Sequence, residues 1–184
     1  MRVAILCEYS GRVRDAFIGC GHKAVSCDLL PTEVPGPHLQ GDIFDYEWSG
    51  FDLIIAHPPC TALAVSGNRY YAGSAARVAA AEFVKRIWDI PVDKMCIENP
   101  VGVINSLLPN MPKPQYIQPW MFGHGETKKT GLWLRGLPDL IPSDIVEGRE
   151  QRIWKMPPSE NRAHLRSLTY QGIADAMATQ WGIL

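Results

Sequence analysis

The run Phe51 to Cys60, FDLIIAHPPC, restricts this chain more than any other stretch. Four apolar residues, Leu53-Ile54-Ile55-Ala56, stand between a polar start and His57-Pro58-Pro59. A short apolar run bounded by turn residues reads as a strand buried on both faces. The two prolines stiffen the backbone and remove two N–H donors, so the sheet ladder stops there. In open parallel sheets, chemistry collects just beyond the carboxyl ends of such strands. Cys60 is therefore presented on a rigid platform at the functional edge of a sheet.

The rest of the chain supplies partners for that strand. RVAILC (2–7) reads as a strand that begins almost at the amino terminus. Ser10-Gly11 follows, then a helix through Ala16 and Phe17 that Gly19 and Gly21 close. KAVSCD (23–28) is a second apolar strand, and a Pro- and Gly-rich loop then leads to Gly41-Asp42-Ile43. After Cys60 comes a loop to Gly73, and Ser74 caps a helix to about Ile90, with Val78, Phe83, Val84, Ile87 and Trp88 as its apolar face. KMCI (94–97) reads as another buried strand, and it delivers Glu98-Asn99-Pro100. Beyond it the pattern is irregular and proline-rich, with strands near 115–118 and 130–134 and a closing helix from Thr169 to Trp181. Strand, helix, strand, loop, strand points to an α/β domain with a mostly parallel, doubly wound sheet.

At 184 residues the chain fits a single domain with a substantial core. Its net charge of −1 carries no global nucleic-acid signature, but the charge is uneven. Residues 1–112 hold 9 basic and 12 acidic side chains, while 113–166 hold 9 basic and 6 acidic, so the later segment is better suited to meet phosphates. The division that follows is a core over 1–112, a short basic substrate-facing segment over 113–166, and a closing helix over 167–184. Five cysteines without a C-x-x-C pair argue against a disulfide framework and against a structural zinc site. Neither a signal peptide nor an apolar stretch of membrane-spanning length is evident, so a cytoplasmic location away from membranes is expected.

Two constellations carry chemistry. On the amino-terminal side, Ser10-Gly11 lets backbone approach a ligand at a helix start, and Asp28 ends a strand where it would accept from a ribose diol. Asp42 stands 14 residues further on, near the next strand edge, where a nucleoside base would lie. Each alone is an ordinary turn or cap residue; in this order they favour a nucleoside-containing cofactor. The second constellation is Cys60 with Glu98, both delivered by apolar strands to the same edge. A thiolate attacking an unsaturated ring needs a group to handle the charge that develops, and a carboxyl can support a ring nitrogen. The other four cysteines read as small buried hydrophobes.

The ordered set Gly11, Asp28, Gly41-Asp42-Ile43, Pro58-Pro59-Cys60 and Glu98-Asn99-Pro100 resembles the DNA (cytosine-5) methyltransferases. Ile173-Ala174-Asp175-Ala176-Met177 is similar to that family's last motif, which packs back on the first. The resemblance spans nearly the whole chain and implies a Rossmann-like S-adenosylmethionine-dependent methyltransferase fold acting on DNA without a metal. It implies that Cys60 adds to carbon 6 of cytosine while Glu98 supports ring nitrogen 3, so that carbon 5 takes the methyl group. It further implies that Asp28 with Leu29 holds the cofactor ribose, and Asp42 with Ile43 its adenine. Tyr9, Ser10 and Gly11 would line the methionine end, with Asp175 and Ala176 nearby and Pro58 between cofactor and base. Pro59, Asn99, His124, Lys128 and Lys129 would face the substrate, and a target within a duplex would be flipped out of the stack. The chain departs from the family in having one glycine in its first motif, Thr61 in place of glutamine after the cysteine, and Asp175 where asparagine is usual. The segment between Glu98 and the closing helix is short for a target-recognition domain.

Three other readings share parts of this pattern. An amino-group methyltransferase would place Asp, Asn or Ser before the two prolines and an aromatic residue after them, and it would not need a thiol. A pyrimidine carbon-5 enzyme for RNA or free nucleotides would keep the chemistry and change the substrate. A non-catalytic remnant that binds nucleic acid or a partner would not need to retain both Cys60 and Glu98.

Overall fold

The computed structural model describes residues 1–184. Seven strands form one sheet: β1 (Arg2–Leu6), β2 (Lys23–Asp28), β3 (His38–Gln40), β4 (Leu53–Ala56), β5 (Met95–Pro100), β6 (Gln115–Ile117) and β7 (Thr130–Arg135). The helices are α1 (Arg12–Gly19), α2 (Asn68–Tyr71), α3 (Ala75–Trp88), α4 (Ile104–Leu107), α5 (Arg152–Lys155), α6 (Arg162–Ser167) and α7 (Gln171–Trp181). The strand order is β3-β2-β1-β4-β5-β7-β6. The first five strands are mutually parallel, and β7 runs antiparallel between β5 and β6.

Successive side chains of a strand point to opposite faces, and here both faces are covered. Val3, Ile5, Leu53, Ile55 and Cys96 enter one core with Val13 and Phe17 of α1 and Ile173, Met177 and Trp181 of α7. Ala4, Leu6, Ile54, Ala56, Met95 and Ile97 enter the other with Ala81, Val84 and Ile87 of α3. All four residues of β4 are fully buried, which is why the run is continuously apolar instead of alternating.

The structure differs from the sequence expectation in four places. β5 extends through Pro100, because β7 pairs with it as far as Pro100↔Thr130, so Glu98 and Asn99 lie within the ladder. β3 forms inside the Pro- and Gly-rich loop, as a three-residue edge strand on β2 that carries no apolar signal. The segments expected as loop or irregular chain hold α2, α4, α5 and α6, each too short to show helical periodicity. Val78, counted on the apolar face of α3, is exposed. The segment 113–166 also contributes β6 and β7 to the sheet. No helix is long and apolar enough to cross a membrane.

Candidate active site

The turn after β4 builds the platform for Cys60. Asn99, buried in β5, donates from Nδ2 to the Pro58 carbonyl at 2.8 Å. The Cys60 carbonyl accepts from Leu63 and Ala64 N–H groups at 3.0 and 2.8 Å, so the chain turns back immediately after the thiol. Cys60 is thus fixed on both sides, by a side-chain bond to its prolines and by a hydrogen-bonded turn. It lines a cavity of about 120 Å³ with Glu98, His57, Lys128 and Arg166.

The electrostatics of this cavity divide the proton inventory. Burial pushes the Cys60 thiol up and the Glu98 charge pushes it further, with Lys128 and Arg166 opposing. Cys60 is therefore a protonated thiol at neutral pH. Burial also works against the Glu98 charge, but the hydrogen bond from His57, the Lys128 ammonium and the nearby Thr130 hydroxyl outweigh it. The net direction for Glu98 is downward, and it rests as a carboxylate. Lys128 is anchored by donation from Nζ to the Leu168 carbonyl at 3.2 Å. Arg166 makes no ion pair or side-chain hydrogen bond, and its guanidinium is available to an anionic ligand.

The amino-terminal edge of the same cavity is built from Cys7, Glu8, Tyr9, Ser10 and Pro58. Glu8 is buried, and its carboxylate accepts from the N–H groups of Val13 and Arg14 at 2.8 and 3.3 Å. It satisfies the first turn of α1, which Gly11 as N-cap cannot do with a side chain. Gly11 has φ +76°, and a Cβ there would meet Arg14 and Val34 at about 2.5 Å, so its close approach serves packing of the 31–37 loop. Cys7 ends β1 in the left-handed region at φ 58°. Its thiol is pushed up by burial and then by the charges of Asp28 and Asp42, which both converge on this strand end. Asp28 Oδ1 accepts from Leu30 N–H and Asp42 Oδ1 from Phe44 N–H, each at 2.9 Å, and Oδ2 of each has no protein donor. Leu29 is 70% exposed beside them, and Ile43 is buried. Two acceptor oxygens, an uncovered apolar side chain and a buried carboxylate at a helix start fit the ribose, base and amino group of a nucleoside-linked amino acid.

The structure brings together Tyr9, Ser10, Pro58, Pro59, Cys60, Glu98, Asn99 and Lys128 around one cavity. Nine expected residues lie outside its lining: Gly11, Asp28, Leu29, Asp42 and Ile43, which stay on the amino-terminal side, and Asp175, Ala176, His124 and Lys129. Asp175 lies on the outer face of α7 and accepts from Gln171 at 2.8 Å, while Ala176 is buried in the core against α1. The closing segment reaches the cavity earlier in the chain, through Arg166 to Thr169, because α7 packs alongside α1 and only the residues preceding it reach the sheet edge. His124 accepts from Gly172 N–H at 3.0 Å and packs on Tyr170, so it holds the start of α7. Lys129 lies over the Tyr116 ring with Nζ 4.4 Å from its centroid.

Sequence reasoning did not single out Glu8, Arg166 or Thr169. For Glu8 a signal existed, since an acidic residue directly follows an apolar strand; for the other two none did. A larger groove of about 850 Å³ adjoins the cavity and shares Tyr9, Pro59, Cys60, Pro100, Lys128 and Arg166 with it. Tyr70 and Tyr71 stand on the wall that follows Cys60, and Arg162 and His164 on the α6 wall. The α6 wall is tied over the amino-terminal edge: Tyr9 Oη and His164 Nδ1 are 2.8 Å apart, and His164 Nε2 is 3.3 Å from Glu33.

No protein-family model matches the chain. No curated protein matches it either. Solved structures do. One is an Escherichia coli prophage protein described as a DNA modification methyltransferase, at 14% identity over 86% of this chain and 55% of that one, with a TM-score of 0.52. Another is the Entamoeba histolytica methyltransferase EhMeth, at 14% identity over 82% of this chain and 57% of that one, with a TM-score of 0.51. The chain spans just over half the length of these structures. With the seven-stranded order above, the likeness establishes that the chain shares the Rossmann-like fold of these structures.

Proposed function

We propose that this protein is an S-adenosylmethionine-dependent methyltransferase acting on carbon 5 of cytosine in DNA through a covalent bond to Cys60. The observation that carries the reading is the shared cavity of Cys60 and Glu98, with Glu8, Tyr9 and Ser10 at one edge and a groove carrying Lys128, Arg162 and Arg166 at the other. S-adenosylmethionine supplies the electrophilic methyl group when bound. Asp28, Asp42 and Leu29 hold its nucleoside end, and Glu8, Tyr9 and Ser10 its amino-acid end.

Cys60 forms a bond from Sγ to carbon 6, and the π pair of the 5,6 double bond moves toward carbon 5 and ring nitrogen 3. The thiol loses one proton in this step and the ring nitrogen gains one. Because Cys60 is protonated and Glu98 ionised at rest, the site already holds that proton and a carboxylate to manage it. Carbon 5 then takes the methyl group. Loss of the carbon-5 proton to water and cleavage of the S–C6 bond restore the 5,6 double bond, and the ring-nitrogen proton returns to the departing thiolate, so Cys60 ends as it began.

The groove supports a polymeric substrate over a free nucleotide. Arg162, Arg166 and Lys128 suit phosphates, and Tyr70, 74% exposed, offers a ring on the opposite wall. Arg166→Met is expected to weaken DNA binding across sequences and to lower the slope of log affinity against log salt by about one. A slope unchanged by the substitution would remove Arg166 from the phosphate contacts.

The activity is tested by expressing the protein in a methylation-free host and analysing hydrolysed DNA by mass spectrometry. The expected product is 5-methylcytosine, lost with Cys60→Ser. N4-methylcytosine or N6-methyladenine without 5-methylcytosine would reverse the choice of target atom. No methylated base in DNA, nor in RNA or nucleotides incubated with cofactor, would sink the enzyme reading.

A further inference from the structure

His57 precedes the two prolines, and the reaction described above does not use it. The strand register sets it against Glu98. Ile55 pairs with Cys96 and Ala56 with Ile97 across β4 and β5, so the next step of the same parallel pair aligns His57 with Glu98. Alternation puts both on the face of Ile55 and Cys96. The His57 N–H donates to the Leu6 carbonyl at 2.9 Å, which carries β4 one residue further against β1 before the prolines end it. The result is a side-chain contact of 3.1 Å between His57 Nδ1 and Glu98 Oε2, with the two side chains 11% and 13% exposed.

The acceptor decides which ring nitrogen carries the hydrogen. Glu98 rests as a carboxylate and can only accept, so Nδ1 carries the hydrogen and donates to it. His57 Nε2 is buried without a hydrogen-bond partner. A buried nitrogen without a partner is unfavourable and calls for a physical reason.

We propose that His57 is a positioning residue that fixes the Glu98 carboxylate in the cavity through its Nδ1–H, and that this pair orients the group that meets the pyrimidine ring. The second clause rests on the methyltransferase reading of Glu98; the first does not. Lys128 is the other charged group acting on Glu98, the Thr130 hydroxyl also supports its carboxylate, and Cys60 and Cys96 are the thiols that feel its charge. Lys128 is the cation left to oppose burial when His57 is removed.

The test compares His57→Ala with His57→Asn, whose Nδ2 can stand in for Nδ1–H without titrating. Carbon-13 NMR of carboxyl-labelled glutamate in the whole protein reads Glu98 without any turnover. Removing a donor that favours the carboxylate is expected to move Glu98 titration to higher pH in His57→Ala and to leave it near the wild-type position in His57→Asn. In turnover, kcat is expected to fall on the order of 10²-fold in His57→Ala with cofactor affinity retained, to be largely rescued in His57→Asn, and its acid limb to move to higher pH. His57→Ala is expected to add nothing to Glu98→Gln, since both act on one carboxylate. Coincident titrations of wild type and His57→Ala, or His57→Asn no better than His57→Ala, would overturn the proposal. If the wild type transfers no methyl group at all, the functional reading fails, while the carboxyl titration still decides whether His57 governs Glu98.

Discussion

Cys60→Ser is expected to abolish both methyl transfer and covalent capture of DNA containing 5-fluorocytosine. Fluorine at carbon 5 cannot leave as the proton does, so an enzyme that adds a thiol to carbon 6 and delivers a methyl group is held as an adduct. Serine keeps the size of the side chain and the turn in which the residue-60 carbonyl accepts from Leu63 and Ala64. What it removes is a polarisable nucleophile, and losses of about 10⁴-fold or more are ordinary when a nucleophile is deleted. Denaturing electrophoresis of cofactor-supplemented mixtures reads the adduct directly. A band that persists in Cys60→Ser would assign the nucleophile elsewhere. Cys7, Cys27 and Cys96 are poor substitutes, since burial holds the thiol of each up.

Glu98→Gln is expected to move two measurements in opposite directions. Methyl transfer should fall by about 10²- to 10⁴-fold, the usual contribution of a positioned acid–base group. Alkylation of Cys60 at neutral pH should become faster. The sign follows from the electrostatics of the cavity: burial raises the Cys60 thiol first and the Glu98 charge raises it further, while Lys128 and Arg166 pull it down. Removing the carboxylate charge leaves the two cations in place, lowers the thiol and enlarges its thiolate fraction. Peptide mapping by mass spectrometry is the suitable readout, because Cys20 is exposed and reacts independently. A variant that has merely lost its fold would alkylate at all five cysteines together. Slower or unchanged alkylation at Cys60 alone would mean that Glu98 does not act on it.

Several features of the site were legible residue by residue. The apolar run Leu53 to Ala56 could only be a doubly buried strand, and Pro58-Pro59 could only end it. The acids at Asp28 and Asp42 stood at strand edges, and the structure brings both charges to the end of β1. Other features were hidden for physical reasons. β3 is an edge strand whose pairing depends on backbone groups alone, so composition does not mark it. Asp175 and Ala176 were placed near a cofactor by motif resemblance, yet the helix that carries them packs along α1. That packing buries Ala176 and turns Asp175 outward, while Arg166 to Thr169 reach the cavity. His124 and Lys129 matched the chemistry of substrate contact, but their rings and charges are engaged within the protein, on Gly172 N–H and on Tyr116.

The sequence by itself determined the α/β sheet, the edge at which chemistry gathers and the two residues, Cys60 and Glu98, delivered to it. Local patterns suffice for that, because burial of a strand and its termination by proline are properties of neighbouring residues. Only the tertiary structure decided the state in which those two residues rest. Parallel register over 41 residues of separation sets His57 against Glu98. The approach to β7 brings Lys128 to the thiol and α6 brings Arg166, and the turn before α7 anchors Lys128 through the Leu168 carbonyl. Charge and protonation are set by groups distant in the chain and adjacent in space, and no local pattern of residues records that adjacency.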